Sequence, residues 1–412
     1  MTSSTVTSVG WKQARHLAHR QVAALPAQVV GLVAAIGCVL AEDLVAGCDL
    51  PAGDTSAMDG WAVSGPPPWS VVGQSLAGRA PDSATGLMSS QAMVIATGAS
   101  VPPGATGIVR SERGALDGPD GTVLRLREGV PGPPDLSDVR PRGHEAKAGD
   151  VLIGAGAVVR PTTAGLAAAA GQDTLRVHPR PRVTMLVLGD ELLDAGQPRG
   201  GAVRDALGVQ LPAWVSALGG DPMAILRVPD DPGATRSAVQ HEAGRGDVVV
   251  TTGGSARGAA DHLRSTLVAL GARFVVDNVD VRPGHPMLLA ELPDGRWLVG
   301  LPGNPLAALA GVVTLLGPLL AGLSGAPLPG LGSAVVEDDV PVLPRGRHQR
   351  GHLLIPVSRS PTGGVRPTGY ATSAMLRGVA LADGFLLVGA EGLLAGESGT
   401  VVWFPWTPAA AS

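Results

Sequence analysis

At 412 residues this chain is too long for one ordinary core, and two to four domains are expected. Hydrophobic residues make up 45% and charged residues 16%, with a formal net charge of −4, which describes a soluble globular protein and argues against nucleic acid as the main partner. Aromatics are only 3%, and the 59 glycines and 36 prolines are scattered rather than periodic, so cores must be built from Ala, Val and Leu and collagen-like readings are excluded.

The N-terminal "MTSSTVTSVGWKQARHLAHR" lacks the apolar run of a signal peptide. Residues 11–48 read as helix, with apolar positions three and four apart and a break near Pro26. Cys38 and Cys48 fall in this apolar stretch without C-x-x-C spacing, which favours free thiols over a disulfide or zinc site. From 49 to 144 the texture changes to short apolar runs separated by "PAGD", "SGPPPW", "PPGA" and "PGPPD", the turn signals of a small β-rich unit. Residues 145–178 look helical again, with "TTAGLAAAAG" as an alanine-rich helix ending at Gly171.

From 181 strands and helices alternate. "RVTMLVL", "MAILRV", "DVVVTT", "RFVV" and "RWLVGL" read as strands, and "ALGVQLPAWVSALG", "PGATRSAVQHEAG" and "ADHLRSTLVALG" as helices, which predicts a parallel sheet with helices on both faces. No charge occurs from Leu298 to Val336, and "PLAALAGVVTLLGPLLAGL" is long enough to span a bilayer. Pro318, three glycines and the absence of Lys or Arg flanking its far end favour a helix buried in the protein instead. After about 327, short strands such as "HLLIPVS" and "DGFLLVG" form a C-terminal β unit.

In an open parallel sheet, ligands bind beyond the carboxyl ends of the strands. Four such tips carry suitable chemistry: "LGDEL" with Asp190 and Glu191, "VPDDP" with Asp230 and Asp231, "TTGGSARGAAD" with Gly253, Gly254, Ser255, Arg257 and Asp261, and "GLPGNP" with Gly303 and Asn304. Glycines admit a ligand close to the backbone, and helix-start amides favour an anion such as phosphate. Carboxylates at neighbouring tips would repel that anion unless a divalent cation lies between them, and Mg²⁺ suits one or two carboxylates plus phosphate oxygens. Singly, each tip has a plainer reading: Gly-Gly as a turn, "DDP" and "DEL" as helix entries capped by aspartate. Three basic patches, around Arg282 and His285, around Arg345, Arg347 and Arg350, and around Arg140, Arg142, His144, Glu145 and Lys147, read by default as solvated loops, although a guanidinium on a rigid Pro-Gly turn suits a tetrahedral oxyanion.

"DTSAMDGWAV", "VIATGASVPPGATGIV", "VRPRGHEAKAGDVL", "RPRVTMLVLGDEL", "VVVTTGGSARGAADHL", "VRPGHPMLL" and "GLPGNPLAAL" occur in an order and spacing that resembles the molybdopterin molybdenumtransferases, the bacterial MoeA group that includes the gephyrin E domain. The resemblance covers essentially the whole chain. It implies an α/β multidomain fold: a helical linker and dimer domain over 1–48 plus 145–178, an inserted β-rich domain over 49–144, a central doubly wound parallel-sheet domain that binds molybdopterin over 179–326, and a C-terminal β domain over 327–412. It implies a cytoplasmic homodimer that inserts molybdate into adenylylated molybdopterin with Mg²⁺-dependent release of AMP, and contact with other proteins of cofactor biosynthesis. The cleft is then shared between the central domain of one subunit and the inserted domain of the other.

Matched position by position, the resemblance gives Asp59, Thr97, Glu191 and Asp261 catalytic roles and makes Asp230 and Asp261 the Mg²⁺ candidates. Gly253, Gly254, Ser255, Arg257, Arg282, His285, Gly303, Asn304, Arg350 and Ser373 become the binding set. The chain is also a divergent member. His285 stands where the turn usually carries a second lysine, so a fixed charge becomes conditional, because imidazole is mostly neutral near pH 7. Ala256 replaces a serine, Asn278 a lysine, Leu207 an asparagine, Leu188 a Ser or Thr, and Ala307 a serine, while Gly143-His144-Glu145 replaces Gly-Glu-Asp. Arg257 offers electrostatic compensation. The alternative is a non-catalytic or weakly active molybdopterin-binding paralogue; the retained carboxylates favour the enzyme. A third possibility, adenylyltransferase chemistry, fits the four-domain organisation less well.

Overall fold

The computed structural model describes residues 8–79, 86–118, 120–242, 244, 246–254, 262–340 and 351–408. Helix α1 spans Trp11–Arg20. The helix expected over 11–48 stops there. Beyond it, Gln28–Gly31 and Val39–Leu40 flank Thr174–His178 in a three-stranded sheet, and Leu44–Val45 pairs with Val151–Ile153. Locally, Pro26 disfavours helical backbone for the residue before it, so the helix does not resume there, and the β-branched pair Val29-Val30 suits a strand. The alanine-rich helix forms over Pro161–Ala169.

The 49–144 stretch contains a six-stranded sheet ordered Gly114–Asp117, Val123–Leu126, Trp69–Ser75, Gln91–Ile95, Gly60–Ser64 and Gly107–Arg110. Its two faces bury Met93, Ile95 and Ile108 on one side and Trp69 and Leu124 on the other.

The central unit is built from β1 (Arg182–Leu188), α2 (Leu207–Ala217), β2 (Asp221–Val228), β3 (Val248–Thr252), α3 (Leu263–Leu270), β4 (Arg273–Asp277), β5 (Leu288–Glu291) and β6 (Trp297–Leu301). Their order in the sheet is β2-β1-β3-β6-β5-β4. The first four run parallel, as the continuous apolar runs predict, but β5 and β4 add an antiparallel edge that the expectation of a parallel sheet omitted. The edge follows from chain reversal at the Pro283–Pro286 turn and at Pro293–Gly295, connections too short for a crossover helix.

The long apolar segment Pro305–Leu323 is a helix, α4, whose most apolar window is entirely buried. It packs on α1 and the sheet through Leu309, Leu316 and Leu319, each fully buried leucine contributing roughly 1.5–3 kcal/mol. Pro318 has no N–H for the carbonyl four residues back, and the helix widens to a π turn over Val312–Leu316 just before it. There Thr314 Oγ1 donates to Ala310 O at 2.6 Å and accepts from Trp11 Nε1 at 2.8 Å. This is a core helix.

The C-terminal sheet is not made by the last residues alone. Its order is Val9–Gly10, Val279–Arg282, His352–Arg359, Gly384–Val388, Ser398–Trp403 and Gly332–Val335, with Val365–Pro367 beside the third strand. The strand leading into the Arg-Pro-Gly-His-Pro turn therefore belongs to this sheet, while β4 and β5 on either side belong to the central one.

Candidate functional site

The carboxyl ends of β1, β2, β3 and β6 open onto a cleft of about 730 Å³. Its lining includes Leu188, Gly189 and Glu191 after β1, Asp230 after β2, Thr252, Gly253 and Gly254 at β3, and Gly303 and Asn304 after β6. The four tips singled out from the sequence thus face one space. At Gly253 the backbone conformation calls for glycine. Gly253 has φ +84°, and a Cβ there would lie 3.1 Å from Leu188 O. Gly303 packs against Gly253, where a Cβ would lie 3.5 Å from the facing Cα. At Gly189 a Cβ would fall 2.7 Å from Glu191 Oε2, so glycine lets that carboxylate fold back over the strand end.

The two aspartates of "VPDDP" have different jobs. Asp231 is a helix cap, its Oδ1 accepting from Ala234 N at 2.7 Å. Asp230 lines the cleft and exchanges contacts with Asp190: Asp190 N donates to Asp230 Oδ2 at 3.4 Å, and Asp230 N to Asp190 Oδ1 at 3.3 Å. Two hard oxygen ligands therefore stand side by side at adjacent strand tips. That donor chemistry fits Mg²⁺, which takes its remaining ligands from phosphate and water. Among the described residues, no group of three or more His, Cys, Asp or Glu is placed to hold a metal.

Asn304 occupies the N-cap of α4 without capping it through its side chain. Instead Asn304 Nδ2 donates to Ser373 Oγ at 3.3 Å, and Ala307 N donates to Ser373 O at 3.2 Å. Ser373 is thereby tied to the cleft rim, and its neighbours Ala374 and Leu376 line the cleft. Arg282 and His285 flank the cleft without lining it; Pro286, which ends their turn, does line it. His285 Nδ1 lies 2.7 Å from Val279 O. A carbonyl only accepts, so Nδ1 carries a proton, and Nε2 can donate to an anion only when the ring is protonated.

Asp59 and Thr97 lie in loops beside strands Gly60–Ser64 and Gln91–Ile95 of the inserted sheet and meet each other there. Thr97 N and Oγ1 donate to Asp59 Oδ1 at 2.7 and 3.0 Å. The Thr97 amide first, then its hydroxyl, hold the Asp59 carboxyl below the usual carboxylate range. Ser56 Oγ donates to Met58 O at 2.6 Å and shapes the same loop, while Gly60 is obligatory because a Cβ would lie 2.0 Å from Val109 O. Within one chain this pair does not line the cleft. Ser255, Arg257, Asp261 and Arg350, with Ala256, lie outside the described residues.

Two departures fall directly on the cleft, since Leu188 and Leu207 both line it. Asn278 does not. It is buried at φ +78°, a conformation asparagine tolerates, and accepts from Arg264 Nη2 at 3.1 Å. Sequence reasoning gave no role to Arg204 or Asp205. Asp205 Oδ1 accepts from Leu207 N and Gly208 N at 3.0 and 2.8 Å, and its Oδ2 pairs with Arg227 Nη2 at 3.0 Å. An aspartate just before an apolar helix was a readable capping signal; Arg204 carried none.

Fold and cleft together define a multidomain α/β protein with a cleft at the strand tips of a doubly wound sheet, the place where such sheets bind ligands. The family described as "MoeA N-terminal region (domain I and II)" matches residues 9–171, and the "Probable molybdopterin binding domain" matches 184–322. Molybdopterin molybdenumtransferase 2 of Mycobacterium tuberculosis is 32% identical over 375 residues, covering 87% of this chain and 89% of its own length. Molybdopterin molybdenumtransferase of Staphylococcus aureus is 28% identical over 398 residues, covering 93% and 92%. The crystal structure of the molybdopterin biosynthesis MoeA protein from Pyrococcus horikosii superposes with a TM-score of 0.75 at 24% identity, covering 97% of this chain and 99% of that one, and supports the fold. The chain belongs to the molybdopterin molybdenumtransferase family, transferase enzymes with a role in molybdenum cofactor biosynthesis.

Proposed function

We propose that this protein inserts molybdate into the dithiolene of adenylylated molybdopterin, with Mg²⁺-dependent release of AMP, as a cytoplasmic homodimer. The observation that carries the reading is the convergence of Glu191, Asp230, Gly253, Gly254, Gly303 and Asn304 on one cleft. Asp230 and Asp261 would hold Mg²⁺, with Asp190 beside the first. When bound, the cation neutralises phosphate charge and helps to orient the nucleotide.

The protein's own residues then position two anions against each other. Glycine backbone at β3 and β6 allows a close approach by the ligand, and Asn304 and Ser373 present an amide and a hydroxyl at the rim. Arg282 and a protonated His285 supply positive charge towards the oxyanion. Asp59 and Thr97 act as a preset pair, the threonine's donors favouring the ionised Asp59 carboxylate.

The test supplies purified protein with adenylylated molybdopterin, Mg²⁺ and molybdate, and follows AMP and cofactor. Stoichiometric AMP and active cofactor are expected. Tight binding without AMP release would replace this reading with the weakly active or non-catalytic paralogue, which Leu188 and Leu207 in the cleft wall favour.

A further inference from the structure

The charges around the cleft are unequal in how far they are already used. Among its described lining residues the carboxylates are Glu191, Asp205 and Asp230, and the only basic side chain is Arg204. Asp205 is spent on two helix amides and on Arg227. Arg227 is shared between Asp194 and Asp205. Arg204 differs: among the described residues its guanidinium donates only to Leu193 O, at 3.1 Å, and no carboxylate lies within ion-pair reach. That single bond ties it across the short pairing of Leu192–Leu193 with Val203–Arg204, which builds this wall of the cleft.

A guanidinium carries five N–H donors in a planar fork matched to phosphate. One is engaged here, and the group is exposed at the cleft wall. Beside it, Leu188, Leu192, Val203 and Leu207 offer an apolar surface. The wall thus presents one uncompensated cation next to a face suited to a flat ring.

We propose that Arg204 is the phosphate-anchoring residue of this cleft, donating to a phosphate oxygen of a nucleotide-linked ligand whose ring lies along the apolar wall. The inference rests on the nucleotide-linked pterin reading above and assigns its phosphate a partner. No bond to phosphate is made or broken by Arg204; its role is positioning.

The test is calorimetric titration of the full-length wild-type chain and of Arg204→Gln and Arg204→Lys with AMP and, separately, with adenosine. Arg204→Gln should weaken AMP roughly tenfold or more, the scale of one charge-assisted hydrogen bond, and leave adenosine unchanged. Arg204→Lys should recover part of the AMP affinity. Equal weakening of AMP and adenosine would overturn the proposal in favour of wall packing, and unchanged AMP binding would overturn it in favour of a solvated rim arginine. Wild-type protein that binds neither ligand would instead defeat the nucleotide reading of the cleft, and with it the anchor.

Discussion

At Asp59 a single oxygen accepts two hydrogen bonds from one residue, the Thr97 amide and hydroxyl, thirty-eight positions further along the chain. Each donor favours the ionised carboxylate, so its proton affinity falls. Because the folded group titrates below its ordinary value, the contact contributes stability above the ordinary carboxylate range and loses it as pH falls through the depressed value. Thr97→Val removes the hydroxyl and keeps the amide. The Asp59 carboxyl should then titrate higher, though still below its ordinary value, as followed by carboxyl-carbon NMR. A titration that does not move would mean that the hydroxyl is not an Asp59 donor in solution. His285 carries a comparable lesson: a backbone carbonyl fixes which ring nitrogen holds the proton, so the charge that a lysine would supply at any neutral pH here depends on protonation.

At the scale of elements, neighbouring residues at one helix entry divide structure from chemistry. Asp231 satisfies the Ala234 amide, whereas Asp230 turns to the cleft. Asp231→Ala should therefore lower unfolding stability by about 1 kcal/mol in denaturant titration and leave turnover little altered. Asp230→Asn should do the reverse, holding stability while reducing turnover at least roughly tenfold. Loss of turnover in the first variant, or retained turnover in the second, would exchange their roles. The sequence made this entry legible, but it could not say which aspartate capped the helix, because the choice depends on backbone angles at the tip of β2. Strands buried along nearly their whole length, such as β1 and β3, could be read from their runs of Val, Leu, Met and Thr. The sheet around Thr174–His178 could not, because its partners are strands of only four and two residues, too short to show a period, and the alternation in Thr174–His178 itself covers only five residues. Arg204 was hidden for a different reason. Its place on the cleft is set by a two-residue pairing that nothing in its own segment announces.

Across the whole molecule, the strand Val279–Arg282 joins the C-terminal sheet while its neighbours β4 and β5 stay in the central one, so the basic turn sits where two units meet. The apolar helix α4 anchors that junction by packing on α1 and the central sheet. Among the described residues the inserted sheet contributes nothing to the cleft lining within its own chain, although the loops beside it carry the preset Asp59–Thr97 pair. If a second copy completes the cleft, as the family resemblance implies, defects in the two parts must complement. Asp59→Asn protein and Asp230→Asn protein, each strongly impaired alone, would be unfolded together, refolded and assayed. Random pairing makes about half the dimers mixed, and each mixed dimer holds one cleft with both aspartates intact, so activity should return to roughly a quarter of wild type. A site formed wholly within one chain gives no recovery at any mixing ratio. Intermediate values should track the mixed-dimer fraction measured by native mass spectrometry, which separates complementation from incomplete refolding.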